Sequence, residues 1–74
     1  MNRAQAIILR AGDTMGDGRV LSPEVLRAIV AKNNGLFSYH SRTLYAMVDL
    51  DDRSQVDNAH RQAMVYAAQV LEGK

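Results

Sequence analysis

Apolar residues recur along the chain at intervals that predict helices. Ala4, Ile7, Ile8 and Ala11 fall on one face of a helix over residues 2–11, which Asn2 is placed to cap and Gly12 to stop. The second helix has the clearest start. Ser22 caps it, Pro23 takes its first position, and Glu24 favours the positive end of the helix dipole. Val25, Ala28 and Ile29 form its stripe, Leu26 and Val30 widen it, and Asn33-Asn34-Gly35 ends it with residues that tolerate left-handed backbone. Leu36 and Phe37 then link to a third helix, capped by Ser38 or Ser41 and running through Val48, with Tyr39, Leu44, Met47 and Val48 on a common side. Phe37, the only phenylalanine, reads as a core anchor. The final helix starts near Asp57, or at Ser54 if those two residues form a capping box. Ala59, Ala63, Ala67 and Val70 continue its stripe from Val56, flanked by Met64 and Leu71. The pattern predicts an all-α fold of four short helices.

Composition narrows what holds such a fold together. At 74 residues the chain makes one small domain and is too short for two. It has no cysteine, so neither disulfides nor a thiolate zinc site can staple it. Much of its 47% hydrophobic content is alanine, which packs helices closely but buries little area per residue. A thin core follows, and self-association is open to such a chain. The net charge is +1, with 9 basic and 8 acidic residues interspersed, so no basic stripe marks a nucleic-acid partner. The apolar run Ala6-Ile7-Ile8-Leu9 is far too short to span a membrane and is interrupted by Arg10. A cytoplasmic protein with no membrane partner is expected.

Two acidic stretches between these helices change the picture. Over Asp13–Glu24, Asp13 and Asp17 hold the first and fifth places of a calcium loop, Gly18 the sharp turn and Glu24 the closing position. Arg19 would add its backbone carbonyl, and Val20 stands where such loops pair with a second one. Met15 occupies a place that should supply oxygen. A second stretch over Asp49–His60 begins at about the spacing of paired loops, with Asp49, Asp51 and Asp57 in ligand places and Val56 in the pairing place. There Arg53 replaces a ligand, Ser54 the turn glycine and His60 the closing glutamate. Together they resemble a degenerate EF-hand pair, with helix-loop-helix units over residues 2–34 and 38–72. The resemblance implies one weak calcium site built from Asp13, Asp17, Arg19 and Glu24, and a second loop in which Arg53 stands in for an ion. A final helix starting at Ser54 would destroy that second loop.

Other chemistry is sparse. His40 and His60 lie on separate helices with no cysteine or suitably spaced carboxylate for zinc. Ser38, His40 and Asp49 lack a nucleophile elbow, and Gly16-Asp17-Gly18 lacks the lysine of a phosphate cradle. No enzyme is predicted. Tyr45, Met47, Met64 and Tyr66 could line an adaptable groove for a protein partner. The leading expectation is therefore a non-catalytic protein-protein interaction domain. The alternatives are a calcium sensor that exposes a groove, and a small bacterial or phage inhibitor that masks a host protein surface.

Overall fold

From Leu44 to Val48 the residues alternate: Leu44, Ala46 and Val48 are buried, and Tyr45 and Met47 are not. That period of two is the signature of a strand with one face on a core. The computed structural model, which describes residues 3–33 and 35–73, places a strand there. Its elements in order are β1 (Arg3–Arg10), α1 (Pro23–Lys32), β2 (Phe37–His40), β3 (Thr43–Asp49) and α2 (Arg53–Leu71). The strands form one antiparallel sheet in the order β1-β3-β2.

The all-α expectation is therefore corrected: the chain is a mixed fold of two helices and a three-stranded sheet. Residues read as the first and third helices are strands. In β1 the pairs Ala4–Val48 and Ala6–Ala46 face the core, and a bulge between Ile7 and Leu9 leaves Ile8 without a partner on β3. Ile8 and Leu9 are consequently both buried, which breaks the alternation and mimics helical spacing. The supposed third helix is the β2–β3 hairpin, turned at Ser41 and Arg42. The proposed cap Asn2, and Asn34 in the stop expected after the second helix, lie outside the described residues.

The EF-hand pair is corrected with it, because a strand, β1 or β3, leads into each acidic stretch where a helix was expected. The second stretch fails on the feature that discriminates, since α2 begins at Arg53, capped by Asp52. Val20, expected to meet Val56, instead bridges to Thr14, while Val56 lies within α2. Only α1 follows the sequence reading closely: Ser22 Oγ accepts from the Val25 amide, Pro23 opens the helix, and Asn33 closes it.

Both helices lie on one face of the sheet, α1 against β2 and β3, α2 against β1 and β3, and each against the other. The core between the layers is built on Leu21, Leu26, Ile29 and Leu44, with Phe37 buried beside them. Ala59, Ala63 and Ala67 seat α2 close to this core. Among the described residues no helix is long and apolar enough to cross a membrane.

The hairpin carries backbone strain. Ser41 and Arg42 have φ of 52° and 63°, the left-handed values that a two-residue type I′ turn demands and that Asn-Gly supplies most easily. Replacing them together, Ser41→Asn with Arg42→Gly, is expected to stabilise the fold by about 1 kcal/mol. A urea titration would show this as a higher midpoint with unchanged slope. An unmoved midpoint would contradict the strain.

Candidate functional site

The acids assigned to a calcium site have other, local tasks. Asp13 closes the end of β1: its Oδ2 accepts from the Arg10 amide at 2.8 Å and its own amide donates to the Arg10 carbonyl at 3.0 Å. Asp17 accepts from the Arg19 amide at 3.0 Å and from Arg19 Nε at 2.7 Å. The Arg19 carbonyl, counted as a ligand, accepts from the Met15 amide at 2.8 Å. Glu24 sits in the first turn of α1 beside Ser22. Met15, the residue out of place in a calcium loop, is 8% exposed and anchors this loop to the core. Gly18 does take the sharp turn, at φ 92°. Among the described residues no three His, Cys, Asp or Glu side chains converge on a point, and the EF-hand architecture that suggested the site is absent.

The second acidic stretch is a strand-to-helix turn. Asp49 Oδ1 accepts from the Asp51 amide at 3.0 Å, and Asp52 accepts from the Ser54 amide at 3.1 Å and the Ser54 hydroxyl at 2.6 Å. Arg53 pairs along its own helix with Asp57 at 3.3 Å and does not stand in for an ion.

These turns make folding sensitive to acid. The Ser54 hydroxyl, with Gln55, holds the Asp52 carboxyl below its ordinary range. The Arg19 amide and side chain do the same for Asp17, and Glu24's own amide with Ser22 does so for Glu24. Lowered folded-state values mean that this stabilisation is complete above the unfolded carboxylate range and is lost as pH falls through the folded values. Stability is expected to decline below about pH 4. Asp52→Asn, which still caps a helix, should flatten part of that decline. Urea midpoints at pH 5.5 and 3 would check both, and equal slopes for the two proteins would refute the role of Asp52.

The four residues assigned to a partner groove are split between the two sides of the sheet. Met64 and Tyr66 are half-buried on the core side, where the Tyr66 ring stands edge-on to Phe37 at 6.3 Å and 90°. Tyr45 and Met47 lie on the opposite face, which no described element covers. Strand pairing brings Ile7 beside Tyr45 and Gln5 beside Met47, with Ser38 flanking Tyr45 from β2. Ile7 is 51% exposed and Met47 38%, so these two rows present an apolar strip to solvent. Gln5 Nε2 donates to Ser38 Oγ at 3.1 Å, a polar bar from one outer strand to the other. Arg10 and His40 flank Thr43 at one end of the face, and Arg3 lies beside Asp49 at the other. Arg3 also donates to the Met47 carbonyl at 3.3 Å.

Ile7, Gln5 and Ser38 were not readable as site residues from helical spacing. The alternation over residues 44–48 was the signal that could have found them, because it sets which neighbours share a face. The described residues enclose no pocket. No family model, curated protein or solved structure matches the chain.

Proposed function

We propose that the protein is a non-catalytic protein-binding module that docks its partner on the open face of the sheet. One observation carries this reading. The outward positions of a half-covered antiparallel sheet are ordinarily polar, yet here they hold Ile7, Tyr45 and Met47 side by side. Two of the three are large aliphatic groups left in water, and covering them would recover the burial that isolation forgoes. Arginines and a histidine stand at the ends of the strip and the Gln5–Ser38 hydrogen bond crosses it, a mixture of apolar and polar groups of the kind protein interfaces carry.

The double variant Ile7→Thr with Met47→Thr keeps residues suited to strands and removes the apolar strip. Its stability should stay within about 0.5 kcal/mol of the parent, as for other surface changes. A photo-crosslinking amino acid placed at Gln5, on the face, should give a defined protein adduct in the native cell. The same group at Val65, on the exposed side of α2, should give none. The adduct at Gln5 should vanish in the double variant. Adducts from Val65 alone, or adducts indifferent to the variant, would move the interface elsewhere.

A further inference from the structure

We infer that the occupant of this face is an amphipathic helix whose apolar stripe is flanked by acidic side chains, an inference that rests on the open face being the docking surface. The edges of the sheet argue against an added strand. The Arg10 end of β1 is closed by both hydrogen bonds to Asp13, and the bulge at Ile8 distorts the same edge. The other edge, β2, offers only 4 residues. These features leave only short edge segments, and the face is the larger surface open to docking. Two inter-strand steps make it about 10 Å wide, and its paired length at ~3.3 Å per residue is about 23 Å. A helix is about 10 Å across and rises 1.5 Å per residue, so about 15 residues cover the face once and complete a helix-sheet-helix sandwich.

Charge selects the helix. Arg10 and Arg3 stand at the two ends of the apolar strip, and among the described residues Asp49, the register partner of Arg3, is the only acid on the face. The other acids lie in the loops and on the helices, among them Asp13, Asp17, Glu24 and Asp52. A second copy of the chain fits poorly, since either two-fold axis lying in the face sets Arg10 of one copy over Arg3 or His40 of the other. Nucleic acid fits poorly as well. Among the described residues the face has Tyr45 as its one large aromatic and carries its own aspartate, and the chain's pI of about 8.2 falls short of a nucleic-acid domain's.

The test uses two designed 15-residue helical peptides with one leucine stripe, flanked by glutamate in one and lysine in the other, titrated into the full chain and followed by amide NMR. The glutamate peptide should shift Gln5, Ile7, Tyr45 and Met47 and bind about tenfold tighter than the lysine peptide. Arg3→Glu with Arg10→Glu should reverse that preference, which generic apolar stickiness would not do. Equal binding of both peptides would overturn the acidic partner while leaving the docking face standing. Shifts on the face with oligo(dT) but neither peptide would overturn it in favour of nucleic acid. Concentration-dependent shifts there without any peptide would favour a second copy. No shift at millimolar peptide would overturn the helical occupant, and the Gln5 crosslink would still judge the face separately.

Discussion

Leu44→Ala is expected to leave the purified chain largely unfolded at 25 °C. Leu44 lies on the central strand, paired with Leu9 on one side and Tyr39 on the other, and is fully buried. It is among the largest side chains in the core that have no solvent contact. Removing its three terminal carbons forfeits their transfer energy and leaves a cavity that a sheet hydrogen-bonded on both edges of β3 cannot collapse into. Such truncations remove 2–5 kcal/mol. A single core in a chain of this size supplies only about 3–5 kcal/mol in total. The two ranges overlap, so the loss is comparable to everything that keeps the chain folded. Far-ultraviolet circular dichroism with a urea titration would show a pre-transition slope in place of a plateau. Leu44→Met, which nearly conserves volume, should stay below about 1.5 kcal/mol of loss. A full plateau in the alanine variant would mean that the core is centred elsewhere.

How much of this fold was legible depends on where the signals were local. α1 was readable because its ends are written in the chain: Ser22 caps, Pro23 preorganises the first turn, and Asn33 stops it. Those are effects of adjacent residues and need no tertiary partner. β1 was not readable, because Ala4, Ile7, Ile8 and Ala11 satisfy helical spacing and the bulge at Ile8 spoils the alternation that would have competed. The choice fell to β3, which supplies the hydrogen bonds along one side of β1, an influence from more than thirty residues away. The hairpin hid for a different reason: Ser41-Arg42 occupies a turn that Asn-Gly would have announced.

The acidic stretches misled for physical reasons of the same kind. Aspartates at alternate positions next to glycine build calcium loops, but they also build turns in which a carboxylate accepts from an amide two residues on, as Asp17, Asp49 and Asp52 do here. Sequence spacing is the same in both cases; the difference lies in what precedes the loop, and here that is a strand. Tyr45, Met47, Met64 and Tyr66 were read as lining one groove, which assumed two facing helices; the sheet instead separates the first two from the last two.

The second large effect comes from adding atoms where Leu44→Ala removes them. Ala59, Ala63 and Ala67 recur every four residues along α2 and are 1%, 0% and 0% exposed, a stripe of methyl groups on which the helix rests against the core. Ala63→Leu puts three more carbons at the middle of that contact, where packing leaves no room. Either α2 lifts away or neighbouring side chains leave their rotamers, and such overpacking removes 1–3 kcal/mol. For a domain of this size that lowers Tm by about 4–24 °C, whereas Gln69→Leu, on the exposed side of the same helix, should scarcely move it. Differential scanning calorimetry of the two variants would check this, and equal Tm values would unseat α2 from its stripe. The comparison also separates stability from docking. The folded fraction of Ala63→Leu should still bind the glutamate-flanked peptide, because α2 lies across the sheet from Ile7 and Met47. Ile7→Thr with Met47→Thr should do the reverse, keeping its Tm and losing the peptide. A destabilised protein that binds and a stable one that does not would assign the two faces of the sheet to two different tasks.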